Sequence, residues 1–326
     1  MKYSLFSAVV LGVSMGVVST QVSAANSYPV KTVRLEVGFA PGGGTDLVAR
    51  LLAQKLSQSL GQPFVVENKS GATGMIAAKA VATSPPDGYT LLMGHVNSQA
   101  IAPALTVKPP YDVLKDFSPV AYIGYSPNVL VINSKTPAKT VSELIALAKS
   151  RPDGLSFASP GVGSTNHLAG EMLRSESGAK MLHIPYRGSS PATVDLLAGR
   201  IDLNFDVVAS VTPYIQSGRM RALAVTGQKR DPDFPDVPTM TELGYKSFDI
   251  TNWYGIFAPA NTPAAVIDLL HKELAQILQE PDVDAQFRKL GIRRSPMTVE
   301  QFKNFHRDEY MKYRDIGKRT GIKLEE

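Results

Sequence analysis

The sequence predicts an α/β protein of two lobes, each a mostly parallel sheet flanked by helices. Short apolar runs with strand-like alternation are followed repeatedly by apolar stripes of helical period. Loops rich in glycine and serine join several strand ends directly to helix starts. The length of 326 residues, 44% hydrophobic and 19% charged, suggests about two domains with ample apolar material for their cores.

The first 24 residues are typical of a secretory signal. Lys2 supplies a positive charge, residues 5–18 are apolar, and Val22 and Ala24 are small residues at the positions that a signal peptidase requires. The apolar run is shorter than the ~20 residues of a membrane span. No cysteine follows it, so lipid anchoring is not expected. We therefore predict cleavage after Ala24 and a periplasmic protein.

The elements follow in order along the mature chain. Alternating apolar residues predict a strand at 33–39, and a leucine stripe predicts a helix at 47–60 that ends at Gly61. Further strands are predicted at 64–66, 90–94, 120–124, 128–133, 155–158, 181–186, 201–205 and 221–225. One helix is predicted to end at residue 81, and a second to begin with a capping box at Thr140. A third helix is predicted to span 164–177. A fourth, with Pro191 in its first turn, is predicted to end at Gly199.

From about residue 253 the pattern predicts mainly longer helices. Thr262 is expected to cap one of them, with Pro263 in its first position, and Thr298 to open another with a capping box. We predict that residues 25–126 and 250–326 form lobe 1, that residues 127–249 form lobe 2, and that the two crossovers are hinge strands.

Three loops of small residues, at 39–46, 159–167 and 186–191, connect a strand to a helix start. In open α/β sheets ligands bind beyond the carboxyl ends of strands, and helix starts attract anions with free N–H groups and a partial positive charge. The first loop belongs to lobe 1 and the other two to lobe 2. The sequence therefore predicts an anion in the cleft between the lobes, which the net charge of +5 suits.

The first loop favours a carboxylate over a phosphate. A P-loop would need Gly-Lys-Ser/Thr, but Gly44 is followed by Thr45 and Asp46, and Leu47 breaks the dinucleotide-binding glycine pattern. Asp46 would repel a phosphate, and it suits capping of its own helix or contact with a bound water.

Several further residues near strand ends have two interpretations. His167 could contact the ligand or make a structural hydrogen bond in its helix. His95 and Asn97 follow a strand and could lie near the ligand, and Asp206 could serve the site or be buried for stability against Arg187 or a helix start. Trp253 and Tyr254 could line the cleft, although a place in the core is favoured.

Catalytic, metal and nucleic-acid functions are not supported by the sequence. There is no cysteine, no His-Glu-x-x-His spacing, and Ser164 is not in a Gly-x-Ser-x-Gly turn. The basic residues are scattered and are not interleaved with aromatic residues. We predict a protein that is not an enzyme, without a cofactor, a bound metal or a nucleic-acid partner, and a monomer.

Along essentially the whole mature chain the sequence resembles the Bug/TctC family of periplasmic solute-binding proteins, which serve tripartite tricarboxylate transporters. The matching segments are 28–29, 39–46, 49–50, 65–68, 71–72 with Gly74, 86–92, 111–112 with 115–117, 161–167, 185–188 and 258–263. The resemblance implies a type II, Venus-flytrap fold and a small mono- or dicarboxylate ligand, aliphatic or aromatic. Gly38, Thr73 and Asn261 depart from the family pattern without touching the implied carboxylate-holding groups.

The resemblance implies that a carboxylate is held by main-chain and hydroxyl groups of the first two loops, often through water, with the third loop approaching from lobe 2. Together with the strand-end candidates, the predicted ligand-binding residues are Phe39, Gly43, Gly44, Thr45, Asp46, His95, Asn97, Gly163, Ser164, Thr165, His167, Arg187, Gly188, Ser189 and Asp206. Three alternatives stay open from the sequence: a receptor that signals to a membrane sensor kinase, an exported hydrolase, and a phosphate-type anion receptor.

Overall fold

The computed structural model describes residues 28–186, 189–246 and 248–324. The predicted signal peptide with its cleavage after Ala24, and the predicted site residues Arg187 and Gly188, lie outside the described residues. Within those ranges, no helix has the length and apolar character that crossing a bilayer requires.

Nine strands within the described ranges form one continuous sheet, in the order β2-β1-β3-β9-β4-β7-β5-β6 with β8 paired to β4. The strands are β1 (Val33–Val37), β2 (Phe64–Asn68), β3 (Thr90–His95), β4 (Phe117–Asn133), β5 (Leu155–Ser159), β6 (Met181–Pro185), β7 (Leu203–Val207), β8 (Met220–Val225) and β9 (Thr251–Pro259).

The helices are α1 (Gly44–Leu60), α2 (Met75–Ala82), α3 (Ala102–Leu105), α4 (Val141–Ser150), α5 (Thr165–Ser177), α6 (Ser189–Leu197), α7 (Val208–Gln216), α8 (Ala264–Ile277), α9 (Pro281–Lys289) and α10 (Val299–Thr320). A 3₁₀ turn (Ala72–Gly74) precedes α2, and a π-helical turn (Asn97–Ile101) precedes α3.

Each half of the sheet is parallel where strands alternate with helices. β1 pairs in parallel with β2 and β3, and β5 pairs in parallel with β6 and β7. Helix α1 covers the first group with Val48, Leu52 and Leu56, which are fully or almost fully buried, whereas Leu47 is exposed. The apolar stripe of α1 is therefore turned by about one residue from the predicted leucine stripe.

The prediction of two separate strands at 120–124 and 128–133 is wrong, because β4 is one strand of 17 residues. Its first part pairs with β9 as far as Pro127, and its second part pairs with β7 and β8 from Asn128 onward. On the side away from β9, Tyr125 bridges Arg293 and the ladder with β7 begins at Asn128. Pro127 lies between these two pairings and is paired only with β9, so a proline can be accommodated there. The lobe boundaries after residues 126 and 249 remain predictions, and this change of partner on β4 is the observation that supports them.

Strand β9 extends through a segment where the sequence analysis expected a return to helices. All nine of its residues are buried, between β3 on one side and β4 on the other. A strand buried on both faces lacks the alternation by which strands are recognised. Helices α7 and α9 and the turn before α3 were also not predicted.

The predicted helix caps have mixed outcomes. The capping box at Thr298 is confirmed, with Thr298 and Gln301 bonded in both directions. Thr140 accepts a hydrogen bond from the Glu143 N–H, but the Glu143 carboxylate accepts from Lys139. Thr262 does not cap α8, since its hydroxyl donates back to the carbonyl of Pro259 and Pro263 precedes the helix as its cap.

Candidate functional site

Helix α1 begins directly after the first small-residue loop, with Gly43 at its N-cap. The first N–H groups of a helix have no acceptor inside the helix, and Leu47 is the first α1 residue that donates back, to the Gly43 carbonyl. The N–H groups of Gly44 and Thr45 therefore stand at the helix start, and Gly44 itself is exposed. This is a local environment that favours an anion.

Asp46 is not the N-cap residue of α1, so the predicted capping of its helix from that position is wrong. It occupies the third position of α1, and its carboxylate folds back to accept hydrogen bonds from the Gly42 N–H (2.8 Å) and from Arg50 Nε (2.9 Å). Asn68 Nδ2 donates to its other oxygen at 2.8 Å. The carboxylate is thereby fully engaged within the loop that it shapes.

The charge of Asp46 is balanced inside the protein. Burial by itself would raise the pKa of this carboxyl, but the hydrogen bonds from Arg50, Gly42 and Asn68 and the charge of Arg50 hold the pKa below its usual value. The side chain is 1% exposed. Asp46 therefore opposes a bound anion less than an unpaired carboxylate would.

The second loop leads into α5, and Ser164 is its N-cap. The Ser164 hydroxyl accepts from the His167 N–H at 3.2 Å and donates to the Gly161 carbonyl at 2.8 Å. His167 Nδ1 in turn accepts from the Gly163 N–H at 3.2 Å. Both side chains thus hold the loop in shape, and the main-chain N–H groups of Thr165 and Asn166 are at the helix start.

His167 belongs to a stack of three rings, of which Phe157 and His167 are buried and His183 is half-buried. Its ring lies on that of His183 with 4.0 Å between centroids, and His183 stacks on Phe157. Burial lowers the pKa of His167 to about 3 and that of His183 to about 4, so both rings are neutral near pH 7. His183 also contacts Ser159 Oγ at 2.7 Å. The described residues contain no group of three or more His, Asp or Glu side chains that could hold a metal ion.

The third loop connects to the end of β7. The hydroxyl of Ser189, at the start of α6, donates to Asp206 Oδ1 at 3.1 Å, and the Val207 N–H donates to the same oxygen at 2.8 Å. Asn204 Nδ2 donates to the other oxygen. Asp206 is completely buried, and burial raises the pKa of its carboxyl to about 6. The predicted contact of Asp206 with Arg187 lies outside the described residues.

Three aromatic rings pack together at the first loop: Phe39 of the loop itself, His95 and Tyr254. The His95 ring contacts Phe39 and Tyr254 edge to face, with centroids 5.2 and 5.1 Å away. Its Nδ1 accepts from the Asn97 N–H at 3.2 Å, and burial lowers its pKa to about 3. The neutral ring therefore carries its proton on Nε2, which is a hydrogen-bond donor. The Asn97 Oδ1 atom is buried with no hydrogen-bond partner among the described residues.

Tyr254, like Trp253, is buried in the core, as the sequence analysis favoured, and its hydroxyl lies beside the first loop. It is 7% exposed, and a Cβ placed on Gly44 would lie 3.7 Å from its hydroxyl oxygen. Burial raises the pKa of Tyr254 to about 12, so the phenol stays protonated and can donate. The antiparallel pairing of Tyr254 with His95 brings it here, and that pairing leaves no signal in the local sequence.

Strand β9 also reaches the second loop. Asn252 Oδ1 accepts from the Thr165 hydroxyl at 2.8 Å, and Asn252 Nδ2 donates to Asn128 Oδ1 at 2.9 Å. Residues two apart on a strand point to the same side and lie ~7 Å apart. Asn252 and Tyr254 therefore bring the starts of α5 and α1 to the same side of β9.

The chain matches the family model described as tripartite tricarboxylate transporter family receptor over residues 48–322. It is 40% identical to the protein BugT of Bordetella pertussis over 302 residues, which cover 92% of each chain. It resembles the structure of the periplasmic binding protein BugD with a TM-score of 0.77 and 36% identity, over 91% of this chain and all of the other. It resembles R. palustris Rpa4515 with adipate with a TM-score of 0.80 and 33% identity, over 91% of this chain and 99% of the other.

These likenesses confirm the predicted two-lobed periplasmic-binding-protein fold of type II. The class is that of receptors that bind a solute and do not transform it, as predicted. Within this class, the chain belongs to the family of tripartite tricarboxylate transporter receptors, the Bug/TctC family.

Proposed function

We propose that this receptor captures a small carboxylate between the starts of α1 and α5 and delivers it to the membrane subunits of a tripartite tricarboxylate transporter. One observation carries the proposal. Strand β9 contacts the start of α1 through Tyr254 and the start of α5 through Asn252, two residues apart. One small anion beside β9 would therefore be within reach of both helix starts.

The donors suit a carboxylate. The main-chain N–H groups of Gly44 and Thr45 would serve one side and those of Thr165 and Asn166 the other. The Tyr254 hydroxyl and His95 Nε2 add two neutral donors beside the first loop. A carboxylate needs two to four donors, and hydrogen bonds from neutral groups to a charged acceptor are the stronger kind. The adipate bound to Rpa4515, a protein of the same fold with 33% identity, supports the same ligand class.

Among the other predicted site residues, several would act by positioning. Asp46 shapes the first loop, and Ser164 and His167 shape the second, because their side-chain groups are engaged there. Gly43, Gly163, Phe39 and Asn97 would form the walls of the site. Ser189, joined to Asp206, would approach from lobe 2, and we retain Arg187 and Gly188 of the same loop as proposed contacts.

Calorimetry on the purified receptor tests the proposal with a panel of carboxylates, their uncharged amides, and inorganic phosphate. We expect carboxylates to bind, amides to bind at least tenfold more weakly, and phosphate not to compete. Binding of phosphate alone would favour the phosphate-type receptor instead. Turnover of ester substrates would favour the hydrolase.

A graded pair of variants at Gly44 locates the anion. A Cβ at this position meets only the Tyr254 hydroxyl, at 3.7 Å, so Gly44→Ala should fold normally. Its methyl group, and still more the branched side chain of Gly44→Val, would take space next to the helix start, so the affinity should fall stepwise. Unchanged affinity in Gly44→Val, with unchanged thermal stability, would move the site elsewhere.

The delivery step needs a cellular measurement. Deleting the gene should abolish uptake of the radiolabelled ligand, and deleting the transporter's membrane subunits should have the same effect. Normal uptake without those subunits, together with loss of a transcriptional response to the ligand, would favour the sensor interpretation. Mass spectrometry of the exported protein would test the proposed cleavage after Ala24.

A further inference from the structure

A cavity of about 750 Å³ lies next to the second loop and is separate from the helix starts described above. Its lining residues include Ala72 and Thr73, before α2, and Lys108, after α3. Val162 of the second loop and Lys323 and Leu324 of the C-terminal tail also line it. The cavity is thus bounded by segments of both predicted lobes and has the size of a small-molecule pocket.

The C-terminal tail is held in place on lobe 1. The Leu324 N–H donates to the Leu105 carbonyl at 3.1 Å, and Leu324 forms a parallel bridge with Thr106. The Leu324 side chain reaches the second loop, since a Cβ placed on Gly163 would lie 2.8 Å from Leu324 Cδ2. The tail therefore connects lobe 1 to the loop whose helix start would hold the carboxylate.

The cavity also adjoins the first loop. Thr73 is followed by Gly74, and a Cβ on Gly74 would lie 3.3 Å from the Phe39 ring. Val162 is followed by Gly163 in the second loop. Two residues that line the cavity, Thr73 and Val162, are therefore each next in sequence to a glycine that contacts or belongs to one of the two loops. A solute held at the two helix starts would lie close to the cavity.

The chemistry of the walls indicates what could occupy the cavity. Ala72, Val162 and Leu324 offer apolar surface, whereas Lys108 and Lys323 are exposed and make no ion pair within the described part of the chain. No acidic side chain is among its described lining residues. Glu325 and Glu326 come two and three residues after Lys323 in the sequence, so Lys108 is the cation on which a charge argument rests.

We propose that this cavity is the subsite for the far end of the solute, with Leu324 against an aliphatic chain and Lys108 near a second acidic group. The inference rests on the proposed function, because it takes the first carboxylate to lie at the helix starts. It assigns the C-terminal tail a part in solute selection.

The experiment compares matched solutes that differ in one carboxylate, in pairs from glutarate and pentanoate to azelate and nonanoate. Calorimetry on the full-length receptor identifies the pair with the largest difference in Kd. That pair is then measured with Lys108→Gln and with Lys149→Gln, a control at an exposed lysine in the last turn of α4. The four Kd values for wild type and Lys108→Gln form a double-mutant cycle.

We expect the dicarboxylate to bind more tightly than its monocarboxylate partner in the wild type. Lys108→Gln should weaken dicarboxylate binding about threefold to fivefold, as expected for an exposed ion pair, and leave monocarboxylate binding unchanged. Lys149→Gln should change neither. Leu324→Ala should weaken both members of the pair, because both have the aliphatic chain.

Two results would overturn the inference while leaving the proposed function intact: equal affinity of both solutes in the wild type, or equal losses for both in Lys108→Gln. An unchanged affinity in Leu324→Ala would remove the tail from the subsite. Failure of every carboxylate to bind the wild type would refute the proposed function itself, and the subsite with it.

Discussion

Replacing Tyr254 by phenylalanine is the sharpest test of the site, because the change removes one oxygen atom. The Tyr254 hydroxyl has no hydrogen-bond partner among the described residues, and the ring is 93% buried against His95 and the first loop. The ring packing is retained in Tyr254→Phe, so the free energy of unfolding should change by less than about 0.5 kcal/mol.

The affinity for the carboxylate should respond much more strongly. A hydrogen bond to a charged acceptor contributes about 1.5–3 kcal/mol, and at about 1.4 kcal/mol per tenfold change this corresponds to a loss of about ten- to hundredfold in Kd. Calorimetry with the ligand found by the carboxylate panel measures this loss, and thermal unfolding without ligand measures the stability.

Tyr313 provides a matched control in the core. Tyr313 is a residue of α10 whose side chain is fully buried, and its hydroxyl has no partner in the described part of the chain. Tyr313→Phe removes an unsatisfied polar atom, so it should stabilise the fold by about 1 kcal/mol and leave the affinity unchanged. Normal affinity in Tyr254→Phe, or equal losses in both variants, would refute the assignment of Tyr254 to the site.

Three further predictions concern the surroundings of the site. Asn252→Ala removes the donor to the buried Asn128 Oδ1, whereas the Thr165 hydroxyl keeps Asn166 Oδ1 as a second acceptor. The change should cost about 1–3 kcal/mol in urea unfolding, and a cost well below about 1 kcal/mol would show that the network relaxes. Because burial raises the pKa of Asp206 to about 6, its contribution to stability is present below its unfolded pKa of about 4 and is lost as the pH rises through 6. Wild type should therefore lose stability relative to Asp206→Asn between about pH 4 and pH 6 in thermal unfolding and lose little more at higher pH. Parallel pH profiles of the two proteins from about pH 4 to pH 6 would contradict this. Gly163 has a φ of 78°, and a Cβ there would lie 2.8 Å from Leu324 Cδ2, so Gly163→Ala should lower the free energy of unfolding by roughly 1–2 kcal/mol. Adding Leu324→Ala should recover the steric part of that loss. No recovery would mean that the strain is in the backbone alone.

Features set by neighbouring residues were predictable from the sequence. The capping box at Thr298 depends on Gln301 three residues later, and the structure contains it as predicted. The alternation of strands and helices predicted the two-lobed α/β class. The role of Asp46 was ambiguous even from its neighbours in the sequence. An aspartate at the third helical position can accept a hydrogen bond from an N–H before the helix, as it does here from Gly42, whereas a capping aspartate accepts from an N–H inside the helix.

Features set by distant pairing were not predictable. Tyr254 faces the first loop because its strand pairs with β3 in one register, and Asn252 reaches Thr165 across 87 residues of sequence. Strand β9 is buried throughout, so its composition resembles a core segment and gives no hint of two polar contacts. The sequence of β4 was misleading for a similar reason. The segment around Pro127, where the strand changes its pairing partner, resembled a turn between two strands.

The position of Asn252 and Tyr254 on one strand also limits how such a receptor can diversify. Side chains alternate between the faces of a strand, so inserting or deleting one residue between them would turn one of the two away from the cleft. Substitutions within β9 leave that spacing intact, whereas changes of length do not. New solute preferences are therefore expected to arise by exchange of side chains in the loops and the C-terminal tail, with β9 kept at constant length.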